Sequence, residues 1–329
     1  MNFLEGRWQM PHLSGITIYP VKSLDGISLS EATVLPGGAL MHDRRWRLVD
    51  AEGAVVNAKK NIRFHGIRAT FGIEGIENSQ VFSADSGNFV TLSIDKSLSD
   101  KHPSLAEETF PLLPNREGPC EWLSEALATE VLLQERFDGG FPDDRDAAGP
   151  TLISSESLRE VAGWFDWTIE EARRRFRMNL EVAAERDEGV GVDSPDTANT
   201  MLRGAFWEDS LACPVSSFKS VVSPSEDFFE PEFEPEYAAG DPRQFQIGSV
   251  LFQAAGVCRR CPVPERNSLT GAASHLFRDQ FEAFRMRRLP VSVDASDWTN
   301  FYHLGINTTC KSNQGSLEIG QAFQLIEGK

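Results

Sequence analysis

The chain has 329 residues, 40% apolar and 25% charged, an ordinary soluble composition that suits two domains or one large one. Its 32 basic and 49 acidic residues leave a formal charge of −17, which argues against nucleic acid as a partner because such a surface repels phosphate backbones. No run approaches the ~18 apolar residues of a membrane span, so no span is expected.

The first residues, MNFLEGRWQMPHLSG, lack a basic start followed by an apolar core, and no signal peptide is expected. Five cysteines make an odd number with no pairing framework. Reduced thiols and a cytoplasmic location are the expectation.

In chain order, Leu13 to Ser23 alternates Ile16, Ile18 and Val21, a strand ended near Pro20. Lys22 and Ser23 stand where the chain leaves it, and both side chains suit phosphate; a solvated loop lysine is the plainer alternative. Ala32–Leu35 with Pro36-Gly37-Gly38 reads as strand and turn. Arg44–Asp50 and Ala54–Asn57 flank a glycine turn, a hairpin. Short strands continue through Phe71–Ile73 and Phe89–Ile94, so residues 1 to about 110 form a mainly β unit, barrel or sandwich.

Glu121–Leu127 has helical spacing, Val131–Leu133 reads as a strand, and 139–149 as a loop. Ser154 or Ser155 is placed to cap a helix running to about Phe165. Thr168 with Glu171 forms a capping box for a second helix through Arg173, Arg174 and Arg175. Glu170 and Glu171 can neutralise Arg173 and Arg174 on a solvated face, an explanation that fits Arg177 less well because it lies in an apolar run. Residues 223–240 are Pro- and Glu-rich, an extended segment that is either a surface insertion, a lid or a docking arm. Phe245–Phe252 reads as one strand, Ser274–Arg288 as a helix, and Trp298–Asn307 and Leu317–Leu325 as closing strands.

That last part of the chain contains Cys258-Arg259-Arg260-Cys261-Pro262, two thiols three residues apart with two arginines between them. Positive charge favours a thiolate, and a thiolate ligates soft metals. Metal ligand, redox pair and nucleophile are all open on spacing alone, as is an incidental pair. Zinc would need further ligands, with His275, His303 and Cys310 as candidates.

Five segments, in order, resemble the MOSC superfamily, and within it the two-part proteins with an N-terminal β-barrel domain, such as the mitochondrial amidoxime-reducing component and its bacterial relatives. They are Tyr19-Pro20-Val21-Lys22-Ser23, Asp43-Arg44-Arg45-Trp46-Arg47-Leu48-Val49, Leu152-Ile153-Ser154-Ser155-Glu156-Ser157-Leu158, Arg175-Phe176-Arg177-Met178-Asn179, and Cys258-x-Arg260-Cys261 with Thr270-Gly271 following. The resemblance implies a β-rich α/β fold: an N-terminal β-barrel-like domain over residues 1–135, and a MOSC β-barrel domain with peripheral helices over 136–329, carrying the 223–240 insertion.

It also implies molybdenum cofactor (molybdopterin), with Cys261 as metal ligand and catalytic residue. Lys22, Ser23, Arg44, Arg177, Asn179 and Arg260, with Ser154, would hold the pterin and its phosphate. Pyridoxal phosphate is implied only at the broadest level of the family. Arg259 and Arg260 would keep Cys261 deprotonated and oriented, leaving Cys258 a structural neighbour. The implied activity is a molybdenum oxidoreductase that reduces N-hydroxylated or N-oxygenated small molecules. The chain has no flavin or nucleotide fingerprint and no iron–sulfur cysteine set. Electrons would therefore come from a ferredoxin-, flavoprotein- or cytochrome-type partner, for which the acidic 223–240 arm is a candidate docking element. The alternative is a molybdenum-cofactor carrier or sulfur-handling protein without turnover of its own. Met178, where many relatives have proline, and Pro264–Leu269 depart from the pattern and bear on substrate.

Overall fold

The computed structural model describes residues 10–76, 87–95, 105–113, 116–144, 146–184, 202, 204–219, 236–239, 241–312 and 314–326. Much of the 223–240 arm lies outside them. Within it, Glu236–Ala239 pairs antiparallel with Val215–Lys219.

An eight-stranded sheet organises the fold. Its order is Phe323–Ile326, Gln244–Ile247, Val250–Arg259, His303–Cys310, Leu152–Ser154, Leu180–Ala183, His12–Ile18, Ile27–Leu29. Strands from both ends of the chain thus share one sheet. His12–Ile18 pairs antiparallel with Leu180–Ala183, Ile16 facing Leu180. The parallel contact in this sheet is Leu152–Ser154 with Leu180–Ala183, a crossover made by two helices, Ser155–Trp164 and Ile169–Phe176. Smaller antiparallel sheets join Trp46–Val49 to Val55–Val56 and Leu132–Glu135, and Ile67–Gly72 to Phe89–Ile94 and on to Glu108–Pro111. Glu31–Val34 pairs with Gly315–Glu318, a second link between the chain's ends.

The local chemistry explains the elements. Thr168 accepts a hydrogen bond from the Glu171 amide, and Ser154 one from the Ser157 amide, so both crossover helices start on capped donors. Glu117–Leu127 buries Trp122, Leu123, Ala126 and Leu127 on one side. One apolar cluster runs from Leu13 to Phe323, and a second, rich in aromatics, lies between the crossover helices and the helix Phe277–Arg287.

Three elements differ from what the sequence predicts. Phe245–Phe252 is a hairpin, reversed at Gly248, whose φ of +56° suits glycine. Leu317–Leu325 is likewise cut by Gly320 at φ +91° into parts of two strands in different sheets. In both segments apolar residues continue across the turn and hide it. The strand expected from Trp298 begins at His303.

Candidate functional site

Lys22 follows the first strand, and its amide donates to the Trp46 carbonyl (2.8 Å), tying it to the segment that carries Arg44. Ser23, Arg44 and Arg177 all have left-handed backbones, with φ of 77°, 49° and 54°. That conformation costs a side-chain-bearing residue roughly 1–2 kcal/mol. Its recurrence at three positions from distant parts of the chain marks a place where geometry outweighs local comfort. Arg177 stands just past the helix Ile169–Phe176, and its amide caps the Arg173 carbonyl (2.9 Å) where glycine is usual.

The three positions border one cavity of about 1130 Å³. Among the described residues, eleven lysines and arginines line it against five carboxylates, in a chain whose net charge is −17. The cavity is therefore a local inversion of the protein's field and suits an anion. Lys22, Ser23, Arg44, Arg177, Arg260 and Cys261 all line it.

Tyr19 is the platform for two of these cations. The Arg177 guanidinium lies 4.1 Å and that of Arg44 5.3 Å from its ring centroid. The phenol donates to the Met178 carbonyl (3.3 Å), and burial pushes its pKa up to about 12, so it stays neutral. Arg44 also bonds Asp43, Asp143 (3.2 Å) and the Asn179 amide oxygen (3.3 Å). Asn179 is a bracket behind the wall: its oxygen accepts from the Thr151 amide and hydroxyl, and its amide nitrogen donates to the Thr17 carbonyl. It holds Arg44 but does not line the cavity. Ser154 does not line it either; fully buried, its hydroxyl is used as the helix cap.

Cys261 lies half-buried at the cavity wall just past the strand Val250–Arg259. Its carbonyl accepts from the Tyr302 hydroxyl (3.4 Å), while the Arg260 amide donates to the Tyr302 carbonyl (2.9 Å). The Arg260 guanidinium bonds the Phe176 carbonyl and lies 3.6 Å from the Met178 sulfur, which joins the cysteine loop to the arginine-bearing segment. Its Nε is buried without a partner. Arg259 is exposed. Cys258 is buried and donates to the Asn307 side-chain oxygen (2.9 Å); burial pushes its pKa up to about 12, so it is a neutral thiol. All five cysteines are free, and no cluster of three or more His, Cys, Asp or Glu side chains suited to a metal exists among the described residues. The zinc alternative built on Cys258, Cys261 and His275, His303 or Cys310 has no such cluster to rest on.

The loop after Cys261 closes the cavity against the N-terminal segment. Arg266 donates to the Ala58 carbonyl (2.6 Å), and Glu171 accepts from Ser268 and from Arg175. Gly271 (φ +71°) lies so close to Ile62 that a Cβ would come within 2.7 Å of it. His65, on the same wall, has a buried Nε2 without a partner; burial, then the arginines around it, lower its pKa to about 4 and keep it neutral. Sequence reasoning missed Tyr19, Asp143, His65 and Tyr302 as site residues. Tyr19 alone carried a signal, as part of the first matching segment.

The donor set fits a bulky anionic ligand with a soft metal: cysteine thiols, forked cations, and a buried Arg260 N–H without an acceptor. Residues 10–130 match the family described as the MOSC N-terminal beta barrel domain. The chain carries that domain, in a β-rich α/β fold. It is similar to the molybdenum cofactor sulfurase of Oryza sativa subsp. japonica, 35% identical over 260 residues, covering 76% of this chain and 28% of that protein. It is also similar to molybdenum cofactor sulfurases of Drosophila yakuba and Drosophila melanogaster, each 27% identical over 277 residues, 80% of this chain and 29% of theirs. The chain spans less than a third of the length of these relatives.

Proposed function

We propose that the chain binds molybdenum cofactor in this cavity and handles its sulfur chemistry or carries it, without turnover of its own. The observation that carries this reading is the half-buried Cys261 thiol on the wall of a cation-lined cavity in an acidic chain. The similarity to molybdenum cofactor sulfurases favours it over a reductase. Cys261 would ligate the metal. Lys22, Arg44 and Arg177 would take the phosphate and pterin edges, with Asn179 bracing Arg44 and Arg260 fixing the cysteine loop. Ser23 contributes differently, since its hydroxyl accepts from the Ala58 amide (3.1 Å) and shapes the wall. When bound, the cofactor supplies sulfur or redox chemistry at its metal.

A second reading, a reductase of N-oxygenated small molecules fed by a separate electron donor, is favoured by one observation. The cavity, at about 1130 Å³, exceeds the roughly 300–1,000 Å³ of a usual small-molecule site.

The test is elemental analysis for molybdenum, zinc and phosphorus on protein made in a cofactor-competent cell, beside Cys261→Ala. Near one molybdenum per chain, lost or altered in the variant, is expected. Zinc without molybdenum would sink both readings. Cyanide-releasable sulfur with no reduction of N-hydroxylated compounds by a reduced dye fits the carrier; dye-driven turnover fits the reductase.

A further inference from the structure

Asp143 occupies the place an anionic ligand would take. Its carboxylate accepts from Lys22 (2.8 Å) on one oxygen and from Arg44 (3.2 Å) on the other. Both cations line the cavity, and so does Asp143 itself. These neighbours hold its carboxyl well below the usual range against the cost of desolvation. The position is built in. Gly140 lies so close to the Asp43 and Arg44 carbonyls that a Cβ there would clash with both, and the Phe141 amide donates to the Arg44 carbonyl (2.9 Å). The Phe141 carbonyl in turn accepts from Lys22 (3.3 Å).

The next residue points to the cysteines. The Asn307 amide nitrogen donates to Asp144 (3.1 Å), and the Asn307 oxygen accepts from the Cys258 thiol (2.9 Å). Cys258 is three residues before Cys261 on the same cavity. A continuous set of contacts therefore runs from the cation pair through two adjacent aspartates to the cysteine segment.

We propose that Asp143 is a tethered competitor for the phosphate-type anion that Lys22 and Arg44 take, and that its displacement is passed through Asp144 and Asn307 to Cys258. This rests on the reading above only in taking the Lys22–Arg44 pair as the phosphate subsite. The carboxylate keeps abundant monoanions out, because each must first displace a group of equal charge held at no translational cost. A phosphomonoester dianion brings more charge and more acceptors, and so displaces it. Once Asp143 leaves, Asp144 moves with it, and Asn307 no longer pins the thiol.

The experiment uses the full chain from a cofactor-deficient cell, with inorganic phosphate and acetate as probes. Binding is followed calorimetrically, and alkylation of Cys258 and Cys261 by mass spectrometry of the labelled peptides. Asp143→Asn should bind phosphate about tenfold tighter than wild type, since two cations are unmasked at a partly exposed site, and should begin to bind acetate. Phosphate should speed Cys258 alkylation in wild type, whereas Asp143→Asn should show the fast rate without it. Asp144→Ala, which leaves Asn307 no acceptor there, should remove the effect of phosphate on Cys258. Thermal unfolding establishes that each variant is folded.

Equal phosphate affinity in wild type and Asp143→Asn overturns the competitor. A Cys258 rate indifferent to phosphate in folded wild type overturns the coupling. Neither result depends on molybdenum content, which is read on wild-type protein from a competent cell. Failure of the cofactor reading and failure of this one are therefore separate outcomes.

Discussion

Arg177 carries two opposed demands. Its backbone closes a helix in a conformation that glycine adopts freely, while its guanidinium faces the cavity across Tyr19. Arg177→Gly should therefore raise the stability of cofactor-free protein by about 0.5–1 kcal/mol in urea unfolding, while molybdenum content falls. Loss of both stability and metal would mean that the side chain's packing outweighs the backbone cost. The same tension is present at Ser23 and Arg44, and it explains why a site assembled from three left-handed residues stands out before any ligand is placed in it.

At the scale of elements, the helix Phe277–Arg287 is fastened to the short helix Asp209–Ala212 by a fully buried ion pair, Arg285 with Asp209. The Arg285 guanidinium also lies 3.9 Å from the Phe206 ring centroid and donates to the His303 carbonyl. Removing the acidic side leaves the always-charged Arg285 unpaired in the core, so Asp209→Leu should destabilise by about 3–5 kcal/mol in denaturant unfolding. Burial, joined by the charge of neighbouring Glu208, pushes Asp209 up to about 7 against the pull of Arg285. The folded carboxyl then binds its proton more tightly than the unfolded one. Its contribution is full below the unfolded value of about 4 and is lost as pH rises through about 7. The stability difference between wild type and an Asp209→Leu, Arg285→Met double variant should therefore shrink from about pH 4 to about pH 7. A difference independent of pH would show that Asp209 titrates as it does in the unfolded chain.

At the scale of the molecule, the sheet binds the ends of the chain together. The strands His12–Ile18 and Ile27–Leu29 extend a sheet otherwise built from residues after 150, and Glu31–Val34 pairs with Gly315–Glu318. Fragments 1–135 and 136–329 made apart would each expose unpaired strand edges. Neither should give the dispersed amide spectrum of a folded protein alone, and mixing them should restore it. Among the described residues, no helix is long and apolar enough to cross a membrane.

Much of this was legible in the chain, for physical reasons that differ from place to place. Thr168 and Glu171 announce a helix start because capping is local chemistry. Lys22, Arg44, Arg177 and Cys261 could be singled out because they sit in ordered segments matching a known pattern, and the structure brings them to one cavity. Ser154 sits in such a segment too, yet its hydroxyl serves the helix. Asp143 could not be read at all: its meaning comes from a loop folded back on Arg44 across about a hundred positions. The turns at Gly248 and Gly320 were hidden for the opposite reason, since apolar residues continue on both sides.

Tyr19 has a consequence of its own. By taking two guanidiniums on one ring, it holds like charges close together, and the charge of Arg44 is one influence, after burial, that loosens Arg177's hold on its proton. A dianion taken there as proposed would exchange the Asp143 contact of Arg44 for its own and would also ease the effect of Arg44 on Arg177. A pocket with its cations spread apart would gain only the first. The ring thus sets the spacing of the two cations when the chain folds, before any ligand arrives.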